Sequence, residues 1–172
     1  MSTPDATSAT QPAMPLGTAA AVTIGIIVII AGYIALGTAL GLVPLYAGFL
    51  LLWYFGAIDL LEPGALPALA IGALCGTGTA FLLQQGLALY GPAGTLPVLA
   101  LIVLALFCQL VGWLPIAINR AYMLYLTIMA APLIQTHESF VPVFAAIVLA
   151  TVYFGGLVLI VRRVTAARQQ PA

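Results

Sequence analysis

Few side chains in this sequence could do chemistry, and most of them are amides and hydroxyls. Thr77, Thr79, Gln84, Gln85 and Gln109 lie inside long apolar runs, and Arg120 follows the end of one. A glutamine amide both donates and accepts, so in hydrocarbon it bridges helices or touches a neutral polar solute. Threonine hydroxyls bond back to their own helix or meet a ligand. Arg120 is either a topology determinant at the membrane surface or a guanidinium that draws an anion to the mouth of a path. These six residues are the solute-path candidates. His137 stands beside Glu138 between two apolar runs. The pair is either a solvated loop or a pH-responsive gate, because imidazole titrates near neutrality.

Other chemistries find no residues. No nucleophile–base pair and no phosphate-cradling loop occurs at useful spacing, so no catalytic residue is assigned and the chain does not read as an enzyme. Cys75 and Cys108 fall mid-span and read as small apolar packing residues; no Cys/His set has metal-ligand spacing, and no cofactor is implied. Asp59 and Glu62 read as solvated surface carboxylates, with proton or cation handling as the alternative. Trp53 and Trp113 read as interfacial anchors.

These groups sit in a chain of 172 residues that is 64% hydrophobic and 5% charged. A soluble domain carries about 25% charged residues, so this is a membrane protein. The net charge is zero and there is no lysine, which argues against nucleic acid as a partner. Residues 1–15 are small, polar and proline-containing and read as a disordered tail. They lack a basic n-region, and the run after them is too long for the apolar core of a secretory signal.

Apolar runs and their breaks predict six transmembrane helices, at about 16–42, 45–61, 66–90, 96–118, 121–134 and 140–161, making an all-α domain over 16–163 with a tail at 164–172. Pro44, the Glu62-Pro63-Gly64 turn and the Gly91-Pro92-Ala93-Gly94 turn separate them. Pro115 is expected to kink the end of the fourth. The third carries Gly72, Gly76, Ala80 and Gln84 every four residues, a face of small residues that admits another helix and ends in an amide. Gly37 with Gly41, and the pair Gly155-Gly156, are further helix-packing candidates.

The fifth run is short enough to be re-entrant. Arginine placement decides against that. With six crossings and a cytoplasmic N-terminus, Arg120, Arg162, Arg163 and Arg168 all lie inside, whereas a re-entrant fifth run would export Arg162 and Arg163. Both termini are then cytoplasmic. The halves also look alike: each has a long run, a short aromatic one, then an acidic turn and a third run. Glu62 to Pro67 answers Glu138 to Pro142. Three crossings per half would make the repeat inverted, with a site at the interface of the halves. A chance match between alanine- and leucine-rich helices explains the likeness equally well.

Leu42-Val43-Pro44-Leu45-Tyr46-Ala47-Gly48-Phe49-Leu50, Trp53-Tyr54-Phe55, the glycine-rich third run and Phe140-Val141-Pro142 resemble a family of small bacterial inner-membrane proteins catalogued mainly as a domain of unknown function. The resemblance implies a compact helical protein of the inner membrane and no assigned activity. The functional expectation is a homo-oligomeric channel or transporter for a small solute. A scaffold or accessory subunit of a larger membrane complex is the alternative.

Overall fold

The computed structural model describes residues 15–169, so the tail at 1–14 and residues 170–172 lie outside it. Seven α-helices follow in order: α1 (Leu16–Ala39), α2 (Tyr46–Ala57), α3 (Leu66–Tyr90), α4 (Thr95–Val111), α5 (Arg120–Met129), α6 (Pro132–His137) and α7 (Phe140–Gln169). No strand occurs among the described residues. Three helical runs are long and apolar enough to cross a membrane: Leu16–Ala39, Leu66–Val111 and Phe140–Ala167. The middle run is a hairpin, because Gly91 takes φ +62 and a 3-10 turn over Gly91–Gly94 sends the chain back. At that turn a Cβ on Gly86 would strike the Gly94 carbonyl, and one on Gly94 would strike the Gly86 carbonyl.

α3 is the central helix and α5 is its main partner. The small-residue face explains why. A Cβ at Gly72 would collide with the Asn119 side chain, and one at Gly76 with the Tyr122 carbonyl and the Leu126 backbone nitrogen. The Ala80 carbonyl accepts from Gln135 Nε2 at 3.0 Å. Gln84 Nε2 donates to the Gln135 carbonyl at 2.7 Å and to the Glu138 carbonyl at 3.2 Å. Glycines thus bring two backbones together, and the Gln84 amide satisfies carbonyls that the end of α6 leaves free.

α2 packs on α7 in the same manner. Gly48 gives room for Ala150 and for the Tyr33 ring. The core between the helices is aromatic and aliphatic: Tyr33, Phe55, Tyr125, Met129, Phe140 and Ile147 are all fully or nearly fully buried. Tyr125 Oη donates to the Ala47 carbonyl at 2.6 Å and Tyr33 Oη to the Ala146 carbonyl at 3.3 Å. Each phenol buries its ring while its hydroxyl keeps a partner.

The bundle has two distinct ends. At one, Arg162 pairs with Glu62 at 2.9 Å and donates to the Leu61 carbonyl at 3.2 Å. Asn119 Nδ2 donates to the Ala68 carbonyl at 2.8 Å, which sets Arg120 at this end too. At the other end lie Gln84, Gln135, His137 and Glu138.

Several expected boundaries shift. α1 stops at Ala39, and Gly41 lies beyond it at φ +71 with open space around it, so it is a turn glycine; of the expected Gly37/Gly41 pair only Gly37 is packed, against Leu45. α2 is shorter than its apolar run. α4 ends at Val111 because Gly112 takes a left-handed φ of +75. Pro115 therefore falls in the following turn and kinks no helix. The fifth run breaks into α5 and α6 at Ala130-Ala131, since Pro132 cannot donate within a continuing helix. Gln135, His137 and neighbours expected in a loop are largely in α6. α7 runs on through the expected tail to Gln169.

Candidate functional site: the seam along α4

α4 is held mainly at its ends. Its turn with α3 is tight, but Val98, Ala105 and Cys108 are its only buried residues. Between those contacts α4 stands off from α3 and α5, with Leu101 and Leu104 on its side of the gap and Gly78 and Thr79 on the α3 side. The result is a cleft of about 620 Å³ lined by Cys75, Thr79, Leu101, Leu104, Cys108 and Tyr122, among others. Its polar atoms are few. Thr79 Oγ1 donates to the Cys75 carbonyl at 3.0 Å and lies 2.9 Å from Tyr122 Oη.

Further clefts adjoin it. One of about 380 Å³ around Gln85, Gly86 and Tyr90 shares Leu82 and Leu101 with the first. One of about 710 Å³ around Gln109, Asn119 and Arg120 shares Ile118. A small one of about 120 Å³, with Tyr54, Asp59 and Asn119, shares Pro115 and Asn119 with that. The series follows α4 from the Tyr90 end to the Arg120 end.

Four of the six path candidates line this seam: Gln85, Thr79, Gln109 and Arg120. Gln109 Oε1 is buried without a hydrogen-bond partner among the described residues, an acceptor that a bound group could satisfy. Gln84 and Thr77 lie elsewhere. Gln84 is bonded to the α6–α7 turn, as above, and Thr77 is sealed in the core with no partner for its Oγ1 among the described residues. His137 and Glu138 do not join the seam. His137 Nδ1 lies 2.7 Å from Thr136 Oγ1 and 3.2 Å from the Leu133 carbonyl, bonded within its own short helix. No ion pair joins it to Glu138 among the described residues. Gly155 packs on Leu66, whereas Gly156 faces open space.

Asp59 sits in the turn after α2, and partial burial pushes its carboxyl above the usual carboxylate range. No arginine pairs with it among the described residues; the Glu62–Arg162 pair takes the neighbouring charge.

Two polar residues that matter were not among the candidates. Asn119 caps α5 by accepting from the Tyr122 amide at 3.0 Å while it also bonds across to α3. Its signal was available: an asparagine directly before an apolar run is an N-cap signature. Gln135 donates to both the Ala80 and Met129 carbonyls. Nothing local marks it, because its acceptors lie in other elements.

No family model, curated protein or solved structure matches the chain.

Proposed function

We propose that the chain is a small homo-oligomeric channel or transporter of a bacterial inner membrane, with six crossings in an inverted 3+3 arrangement and a solute path along the α4 seam. The observation that carries the reading is the series of clefts itself. It gathers an orphaned buried acceptor at Gln109, a hydroxyl pair at Thr79–Tyr122 and a cation at Arg120 along one helix.

The repeat is supported by residues 74 apart in number. Ala47 and Ala121, Leu51 and Tyr125, and Phe55 and Met129 are buried in both α2 and α5. Leu69 and Val143, Gly72 and Ala146, Ala73 and Ile147, and Gly76 and Ala150 are buried in both α3 and α7. Contacts correspond as well. Gly76 meets Tyr122, and their counterparts Ala150 and Gly48 meet each other. Leu61 and its counterpart Gln135 each offer a carbonyl to a donor of the other half, Arg162 of α7 and Gln84 of α3, with Gln84 four residues before the position that matches Arg162. α1 and α4 are both followed by a left-handed glycine, Gly41 and Gly112. These matching contacts support a repeat over likeness of composition alone.

The crossing of the fifth segment is supported by its reach. From Asn119 to Gln135 the chain passes from the level of Ala68 to that of Gln84. Those 16 residues of α3 span roughly 24 Å, most of a hydrocarbon core.

The accessory-subunit reading keeps one observation in its favour. The interface of the halves, where an inverted repeat places its pathway, is filled by Tyr33, Tyr125, Phe55 and Phe140. Reconstitution separates the two. Full-length protein in liposomes should pass at least one of glycerol, urea or a small monovalent anion faster than protein-free vesicles, and Gln109→Leu should slow it. No flux for any of them, or a monomer alone by native mass measurement, would count for the accessory reading.

A further inference from the structure

The two halves differ in how the outer helix is met. Tyr153 on α7 and Thr79 on α3 correspond at the same offset of 74. The Tyr153 ring closes the gap between α7 and α1: its hydroxyl lodges at Gly32 and donates to the Ile29 carbonyl at 3.0 Å. Thr79 is too short to reach α4 in this way, and it lines the cleft of about 620 Å³ instead. A space of about 550 Å³ also lies between α1, α2 and α7, but no hydroxyl lines it, whereas the α4 cleft carries the Thr79–Tyr122 pair.

We propose that this α3/α4/α5 cleft is a binding site for a neutral, bilayer-dissolved molecule with an apolar body and one hydroxyl donor, a long-chain alcohol or phenol. The inference rests on the seam being the working face of the protein. The apolar body follows from the lining, which apart from Thr79, Tyr122 and two thiols is hydrocarbon. No charged side chain lines the cleft, so an ion would lose its hydration without compensation. The donor follows from proton accounting. The Thr79 hydroxyl proton is committed to the Cys75 carbonyl, so Tyr122 donates to Thr79 Oγ1. The capacity left over is the lone pair on the Tyr122 oxygen, which accepts and cannot donate. Access is lateral, from the lipid, because Leu101 and Leu104 on the cleft's α4 side are themselves exposed.

The test uses the full chain in lipid nanodiscs and a diazirine-bearing hexadecanol, with the matching hexadecane diazirine as control. Irradiation followed by peptide mapping should place the alcohol on Leu101–Cys108 and Gly78–Leu82 in preference to the alkane, and unlabelled hexadecanol should compete. Tyr122→Phe removes the acceptor while keeping the ring. It should lower the preference for the alcohol roughly fivefold, the worth of one neutral hydrogen bond, in a protein that still folds. Thr79→Tyr should abolish labelling of the cleft by both probes. Equal labelling by alcohol and alkane, or labelling unchanged in both variants, overturns the proposal. Selective labelling with no flux in vesicles would leave the site standing and remove the transport reading. Flux with no selective labelling would do the reverse.

Discussion

Gly76 and Gly78 are two residues apart on α3 and meet opposite surroundings. A methyl at Gly76 falls on the backbone of α5, whereas at Gly78 the nearest atom is the Phe144 ring edge at 4.0 Å. Backbone cannot move aside as a flexible side chain can. Gly76→Ala should therefore cost about 1–3 kcal/mol of stability, while Gly78→Ala should be neutral or gain up to about 1 kcal/mol from helix propensity. Thermal unfolding of the two variants in one detergent decides; equal shifts would mean that α3 and α5 do not pack as described. Gln84→Leu removes donation to two carbonyls in the α6–α7 turn and should cost on the order of 1 kcal/mol while leaving flux intact. Lost flux in a protein of unchanged stability would return Gln84 to the solute path. The spacing of Gly72, Gly76, Ala80 and Gln84 was enough to show a close-packed face. That the amide would meet carbonyls was not legible, because a carbonyl belongs to every residue and leaves no mark in a sequence.

Among the elements, α3 could be read to both ends: Pro67 stands at its start and Gly91 at its close. α2 and α5 could not. Their apolar runs continue beyond the helix, since a segment surrounded by protein or lipid is apolar whether or not it is helical. Only Pro132 hinted at a break, the one that closes α5. The turn between α2 and α3 carries its own prediction. Asp59 has a folded-state pKa above its unfolded one, so its charge opposes folding. The sign follows: stability is fullest below the ordinary carboxylate pKa and falls as pH rises through the raised value. Asp59→Asn should then be more stable than the parent at neutral pH, with the difference vanishing toward pH 4, as followed by melting temperature across that range. A difference independent of pH would assign the effect to a lost contact instead of a charge.

For the whole molecule, the ends of the bundle are set by contacts that sequence alone could only rank. Glu62–Arg162 and Asn119–Ala68 put two arginines at one end, and Gln84–Gln135 marks the other. Reporter fusions after Gln169 and within 135–139 should therefore report opposite compartments, the C-terminal one cytoplasmic; the same compartment for both would end the six-crossing arrangement. The way α1 is held has a further consequence, in the order of synthesis. Tyr33 finds its acceptor at Ala146, 113 residues later, and Ile29 receives Tyr153 from 124 residues away. At about 5–20 residues per second a ribosome needs roughly 6–23 s to supply the first of these partners. During that interval α1 has only the start of α2, at Leu45 and Gly48, to lean on, and a polar stripe prepared for α7 would be left in lipid. A first helix whose partner is translated last has to be apolar all round, and α1 offers only Tyr33 and Gly37 as buried positions in the finished fold. The resulting long wait makes α7, not α1, the segment whose arrival completes the protein.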